Sequence, residues 1–221
     1  LEESGSDLSG LQVVVDGAFG AAYAIAPYVL RKLGASVTEM NCESDGTRIN
    51  VDCGATDLRP LLERVRSLRD SGARAIGVAF DGDADRALFV DEEGQIVTGD
   101  HVLFALARRL RRRGELPGDT VVGTVMTNIG AERAMAAHGV RLLRAPVGDR
   151  YVLETMRSGG YVLGGEQSGH IINLLQNTTG DGPMTASLLL AAVVEGGTTL
   201  HGLTREVVVA PQVLLNVPAR R

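Results

Sequence analysis

Residues 75–90 read AIGVAFDGDADRALFV: two apolar runs flank a loop in which Asp81, Asp83 and Asp85 alternate with Gly82 and Ala84, and Arg86 follows. The flanks Ala75 to Phe80 and Ala87 to Val90 have the length and composition of buried strands. A calcium-binding helix–loop–helix also opens its loop with acids at positions 1, 3 and 5, and Leu88 and Glu92 fall at its positions 8 and 12. That match fails at position 6, where the sharp turn needs Gly and Arg86 stands, and its flanks would have to be helices. An acidic surface turn is the plainer alternative, because acids crowd turns for local hydrogen-bonding reasons. In an extended stretch, period-two alternation sets all three carboxylates on one side. Their repulsion raises at least one pKa unless a divalent ion sits among them. Arg86 cannot ligate a metal but can hold an anion such as a phosphate beside it, so the loop points to Mg2+-assisted phosphate chemistry.

Outward from this loop the chain repeats itself. Leu11 to Met40 gives an apolar strand at Val13 to Val15, a Gly-bearing loop, a helix through Tyr28 and Leu33, Gly34 and a second strand. Asp119 to Ala145 repeats the order, with strand Val121 to Val125, a loop with Asn128 and Gly130, a helix through Met135, Gly139 and strand Val140 to Leu143. Each half continues with a helix ending in Gly, Arg59 to Ser71 and Arg150 to Ser158. A third strand follows, Ala75 to Phe80 or Tyr161 to Gly164. The latter feeds a second polar loop, Gly165-Glu166-Gln167-Ser168-Gly169-His170, and strand Ile171 to Leu174. Closing helices are expected over Gly99 to Arg113 and Pro183 to Glu195, the second announced by Asp181 as cap and Pro183 in its first turn. The pattern predicts two consecutive similar α/β domains, residues 8–113 and 114–217, each a mixed, mostly parallel sheet flanked by helices. Ligands gather at the C-terminal ends of strands in such sheets, so each half is expected to present one polar loop to a shared cleft.

Composition narrows the function. The chain has 221 residues, 44% of them hydrophobic, enough for one large or two small cores. No stretch is long and apolar enough to cross a membrane, and Leu1 to Gly10 lacks the basic start and apolar run of a signal peptide. Leu1 in place of Met points to a missing upstream part. Cys42 and Cys53 have no metal-ligand spacing and fit reduced thiols in a cytoplasm. A net charge of −5, no Trp and 4% aromatics argue against nucleic acid as a partner. The run Arg108, Arg109, Arg111, Arg112 and Arg113 is expected to be a solvated helix C-terminus, where cations complement the dipole.

In the second polar loop Glu166 and Ser168 sit two apart among Gly164, Gly165 and Gly169, so both side chains can face one way while the backbone lets a ligand approach. Such a pair suits sugar hydroxyls, and His170 adds a group that titrates near neutrality. A glycine-rich turn satisfying its own backbone is the alternative. A Ser-His-acid hydrolase built from Ser168, His170 and Glu166 is conceivable, but residues so close on a strand-like segment rarely converge and no nucleophile elbow is present.

These residues carry a resemblance. Asp81 to Arg86 resembles the metal-binding loop of the alpha-D-phosphohexomutase superfamily, and Gly165 to His170 its sugar-recognition loop. Gln167, the upstream Val147-Gly148-Asp149-Arg150-Tyr151 and the downstream Asn177-Thr178-Thr179-Gly180-Asp181-Gly182 are similar to the phosphoglucosamine mutase branch. Asp45-Gly46, Ile49-Asn50 and Cys53-Gly54-Ala55-Thr56 also resemble that branch. Phosphomannomutase/phosphoglucomutase relatives typically carry Met where Gln167 stands. The serine loop of the family's first domain and the Arg-Pro-Ser-Gly-Thr-Glu loop of its fourth have no counterpart here, so the chain is expected to be domains two and three, inactive alone.

The resemblance implies an isomerase of the cell-wall precursor route that interconverts glucosamine 6-phosphate and glucosamine 1-phosphate through a phosphoserine and a 1,6-bisphosphate intermediate or activator. It implies Asp81, Asp83 and Asp85 as Mg2+ ligands, and Arg86 as a catalytic residue steadying the phosphoryl group. His170 is implied either as a proton shuttle or as a structural hydrogen bonder. Glu166, Ser168, Gly165 and Arg150 are implied as substrate-binding. A cytoplasmic, homodimeric whole enzyme acting on a hexosamine phosphate is expected, without nucleic acid or membrane partners. The alternatives are a phosphomannomutase/phosphoglucomutase and a non-catalytic sugar-phosphate or Mg2+-binding module.

Overall fold

The computed structural model describes residues 7–213; the N-terminal stretch before Asp7 and the expected domain end at residue 217 lie outside the described residues. One sheet contains β1 (Gln12–Asp16), β2 (Ser36–Met40), β3 (Ala75–Phe80), β4 (Ala87–Val90) and β5 (Ile96–Val97), in the order β2-β1-β3-β4-β5. β1 runs parallel to β2 and β3, while β4 is antiparallel to β3 and β5. The other sheet contains β6 (Thr120–Thr124), β7 (Arg141–Ala145), β8 (Leu163–Gly165) and β9 (Ile171–Asn173), in the order β7-β6-β8-β9. Here too the first three strands are parallel and the last is antiparallel. The order and sense match strand for strand, so the duplication legible in the sequence is a duplication of topology. The two-residue β5 has no counterpart among the described residues and gave no periodic signal in the sequence.

The helices are α1 (Ala22–Lys32), α2 (Arg59–Asp70), α3 (Gly99–Arg113), α4 (Ile129–Ala137), α5 (Asp149–Gly159), α6 (Gly182–Glu195) and α7 (Leu200–Thr204). Strand alternation divides the core. Val14, Ala75 and Ala79 turn to one face of the first sheet, where Leu61 and Val65 of α2 cover them. Val13, Val15, Ile76, Val78, Phe80 and Phe89 turn to the other face and join one continuous core that also takes in Val121, Leu163 and Ile171 of the second sheet. The outer face of the second sheet, with Val122 and Ile172, is closed by Val152 and Met156 of α5.

The helices of the central layer are exchanged. α3, which ends the first half, packs against α4 and β8 of the second, whereas α6, which ends the second half, packs against α1, β3 and β4 of the first. α3 and α6 also pack on each other. Their composition permits this: residues 186–193 of α6 read ASLLLAAV, apolar around most of the helix, which suits burial between layers. Arg109 on α3 and Glu195 on α6 clasp the crossing with two charged hydrogen bonds, Nε to Oε2 at 2.8 Å and NH2 to Oε1 at 2.6 Å. The expectation of a uniformly solvated arginine run is therefore corrected at Arg109, whose side chain is only 4% exposed.

Each exchanged helix begins against a polar loop. The Gly99 N–H donates to the Gln167 carbonyl at 3.0 Å, and the Gly182 N–H donates to the Ala84 carbonyl at 2.9 Å. A Cβ at Gly99 would overlap the Glu166 carbonyl, and one at Gly182 would lie 2.7 Å from the Arg86 carbonyl. Gly99→Ala is therefore expected to lower unfolding free energy by about 1–3 kcal/mol through overpacking, whereas Gly46→Ala, with open space around it, should be near neutral. Urea denaturation of both variants checks this, and an unchanged midpoint for Gly99→Ala would refute the close approach.

Candidate functional site

Asp81, Asp83 and Asp85 each offer a carboxylate oxygen within 4.8 Å of the others'. The strand alternation expected from the sequence is not what brings them together. The loop is a turn: the Ala84 N–H donates to the Asp81 carbonyl at 3.1 Å, and Ala84 takes a left-handed backbone with φ of 64°. A non-glycine residue adopts that conformation at a cost, and here α6 holds it by bonding the Ala84 carbonyl. Asp81 is buried, Asp85 is half-buried and Asp83 is exposed. Burial is the first cause that pushes the Asp81 carboxyl up to about 6; Asp85 and Asp83 add to it, against the Arg86 N–H that donates to Asp81. Arg86 Nε lies 3.5 Å from Asp81 Oδ2 and 3.7 Å from Asp85 Oδ1, with the side chain 45% exposed.

The loop rests on a network anchored by Asp16, at the end of β1. Its carboxylate is fully buried and accepts hydrogen bonds from the Ala18 N–H, Asn41 Nδ2 and the Gly54 N–H at 2.9–3.0 Å. Ala18, Phe19, Asn50 and Asp52 around it all have positive φ. The Ala21 N–H then donates to the Gly82 carbonyl at 2.8 Å, and Gly20 lies so close to the Gly82 backbone that it tolerates no side chain, while a Cβ at Gly82 would meet the Ile49 and Asn50 side chains. The sequence reading missed Asp16. The available signal was an acid closing an otherwise apolar strand.

The second polar loop adjoins the first directly. Arg86 and His170 form an antiparallel bridge, and the Ala87 N–H donates to the Gly169 carbonyl at 3.2 Å. His170 Nδ1 lies 3.1 Å from Asp85 Oδ2, and its ring is buried beneath Gly180, where any side chain would strike it. The ring thus meets Asp85 through Nδ1, while Nε2 is buried with no hydrogen-bond partner among the described residues. Glu166 is half-buried, with Oε1 accepting from the Gly148 N–H at 3.0 Å. Gly165, the last residue of β8, is buried and pairs with Ile171, and Ser168 is half-buried. Arg150 is not drawn in: its side chain is 80% exposed and pairs with Glu154 on its own helix.

A groove of about 500 Å3 opens beside the carboxylates, lined by Asp83, Asp85, Asn177, Thr179, Asp181 and Met184. The donor set suits a hard divalent cation, because it offers three carboxylate oxygens and no sulfur or imidazole nitrogen. One atom makes the fit specific. Asp85 Oδ1 is buried with no hydrogen-bond partner among the described residues, which a cation would satisfy. The outer-lying Arg86 guanidinium then provides an anion-binding edge next to the cation.

Comparison with known proteins matches this architecture. The description "Phosphoglucomutase/phosphomannomutase, alpha/beta/alpha domain II" fits residues 2–94, and domain III of the same family fits residues 98–209. The family division thus falls ahead of α3, whereas the sequence reading placed it after Arg113. A phosphoglucosamine mutase from Symbiobacterium thermophilum is 51% identical over 221 residues, all of this chain and 48% of the relative. The chain spans about half the length of the curated relatives it matches. Among solved structures, one described as a putative phosphomannomutase from Thermus thermophilus superposes with a TM-score of 0.78 at 25% identity, covering 94% of this chain and 47% of that one. The fold is also that of an Aspergillus fumigatus N-acetylphosphoglucosamine mutase, whose structure holds GlcNAc-6P and magnesium; the TM-score is 0.70 at 18% identity, covering 91% and 46%. The chain belongs to the phosphoglucomutase/phosphomannomutase family, matching its second and third α/β/α domains.

Proposed function

We propose that this chain forms the metal-binding and sugar-reading half of a phosphoglucosamine mutase, which interconverts glucosamine 6-phosphate and glucosamine 1-phosphate. The direct bridge between Arg86 and His170 is the observation that carries the reading, because it sets a cation site and a sugar-hydroxyl site side by side. The phosphoserine that exchanges the phosphoryl group, through a 1,6-bisphosphate intermediate, is not a residue of this chain. Asp81, Asp83 and Asp85 hold Mg2+, which when bound neutralises charge developing on a phosphoryl group in transfer. Arg86 steadies that group from the side of the loop. His170 orients Asp85 through Nδ1.

Glu166 and Ser168 grip ring hydroxyls, with the Gly148 N–H fixing the carboxylate and Gly165, packed against the His170 carbonyl, holding the base of the loop. A hydroxyl-reading wall separate from the phosphoryl-binding wall lets the sugar present either end. In this reading Arg150, exposed at the start of α5, acts only at the mouth of the cleft. By chain order the repeats run 8–113 and 114–217, a division that counts α3 with the first repeat where the family model counts it with domain III. The protein acts in a cytoplasm, to which the free thiols Cys42 and Cys53 are suited. No helix of the described residues is long and apolar enough to cross a membrane.

Assay of the full-length gene product with glucosamine 6-phosphate, Mg2+ and a hexose 1,6-bisphosphate tests the activity. Binding without turnover would favour a non-catalytic module, and preferential turnover of mannose or glucose phosphates would assign the other branch.

Asp83→Ala removes one of three charged ligands and is expected to weaken Mg2+ binding by about tenfold or more, read by titration calorimetry; unchanged affinity would remove the metal assignment. Glu166→Gln should cost turnover about 10–100-fold, the range for a hydrogen bond to a charged group, while leaving Mg2+ affinity intact. Loss of Mg2+ binding in that variant would overturn the two-wall division.

The pH dependence has a defined sign. Asp81 binds its proton more tightly folded than unfolded, so its contribution to metal-free stability is full below pH 3.8 and is lost as pH rises to about 6. Mg2+ competes with that proton. Its affinity should therefore climb as pH rises through about 6 and level off above it, and a flat profile from pH 5 to 8 would exclude Asp81 as a ligand.

A further inference from the structure

Asp100, the second residue of α3, is only 1% exposed and has no part in the reaction described above. Its Oδ2 accepts from the Asn128 N–H at 2.8 Å and from Gln167 Nε2 at 3.4 Å, while Oδ1 is buried without a hydrogen-bond partner among the described residues. Burial raises its carboxyl above the usual range. Gln167 lies between Glu166 and Ser168, and its side chain reaches this carboxylate.

Asn128 continues the network. Its Oδ1 caps α4 through the Gly130 N–H at 2.9 Å and also accepts from the Ala210 N–H at 2.9 Å. Its Nδ2 donates to the Ala210 carbonyl at 2.8 Å and to Gln212 Oε1 at 3.3 Å. Gln212 Nε2 returns a bond to the Met126 carbonyl at 3.0 Å. The segment after α7 is thus strapped across the start of α4, so closely that the Val208 carbonyl leaves no room for a side chain at Gly130. A cavity of about 480 Å3 separates Gln167 from this strap, with Met126, Asn128, Pro211 and Gln212 also on its walls. The connection between loop and strap therefore runs through the buried Asp100 carboxylate.

We propose that Asp100 is a positioning residue that couples the Glu166–Ser168 loop to the strap at 208–212, so that docking of the strap sets the geometry of the sugar-reading wall. This rests on the sugar-reading role proposed above for its effect on substrate. The coupling itself is defined without substrate. Because one oxygen accepts both bonds, Asn at position 100 keeps them by placing its amide oxygen at the Oδ2 position, and Ala keeps neither. Coupling is reciprocal: a change at either end must be felt at the other.

The test is residue-resolved hydrogen exchange on the 221-residue chain, with Asp100→Ala, Asp100→Asn, Gln167→Leu and Gln212→Ala compared with the parent. Asp100→Ala is expected to speed exchange about fivefold or more both at Ala210 and across Gly165 to Gly169, and Asp100→Asn to stay within about twofold of the parent. Gln167→Leu should speed exchange at Ala210, and Gln212→Ala should speed it at Gly165 to Gly169. These two half-exposed or exposed positions keep the test open if Asp100→Ala does not fold. Changes confined to each variant's own segment would overturn the coupling, as would an Asp100→Asn profile equal to that of Asp100→Ala. With glucosamine 6-phosphate added, Gln212→Ala is expected to weaken binding several-fold at constant Mg2+ affinity. A parent chain that shows the reciprocal exchange pattern but ignores the sugar phosphate would sink the substrate reading and leave the coupling standing.

Discussion

Two backbone hydrogen bonds organise the molecule: Gly99 N–H to the Gln167 carbonyl, and Gly182 N–H to the Ala84 carbonyl. Each joins the first turn of a helix from one half to the polar loop of the other. A helix start carries unsatisfied N–H groups and a partial positive charge, so it is a suitable partner for a loop carbonyl and a favourable neighbour for acidic side chains. Both donors are glycines against which a loop carbonyl packs, so the approach needs the absence of a Cβ as well as the bond. The carboxylates of Asp81, Asp83 and Asp85 converge because α6 stabilises the left-handed Ala84, and Glu166 and Ser168 are presented by a loop that α3 pins from behind. The Arg86–His170 bridge then joins loops that are already fixed by exchanged supports.

Much of this was legible because strand and loop signals are local. Ala75–Phe80, Ala87–Val90 and Gly99–Arg113 form with the boundaries their periodicity predicts, and Asp181 caps α6 by accepting from the Met184 N–H at 2.9 Å. The convergence of Asp81, Asp83 and Asp85 was also foreseen, though for a reason that does not hold: the spacing suggested strand alternation, and a turn performs the task. What escaped the sequence depends on partners distant along the chain. Nothing in residues 99–113 says which sheet they will cover, since an apolar face fits either one. The ion pair between Arg109 and Glu195 was hidden inside an arginine run whose other members reach the surface. Asp16, His170 and Asp100 likewise acquire their roles from groups that come near only after folding, and Arg150 shows the converse, a motif residue whose side chain pairs locally with Glu154.

The helix exchange also bears on how the chain is made. When synthesis has passed Arg113, the first sheet has α2 on one face but lacks α6 on the other, leaving Ile76, Val78, Phe80 and Phe89 without their eventual cover. That cover is complete only after Glu195 has been added, on the order of ten seconds later at ordinary elongation rates. The first half is therefore an unfinished body while the second emerges, and α3 in turn waits for a sheet not yet translated. Duplicated halves of a gene are often treated as separable modules. Here a cut after Arg113 would leave α3 with the first sheet and α6 with the second, and a cut at the family division, ahead of α3, would still part the first sheet from α6.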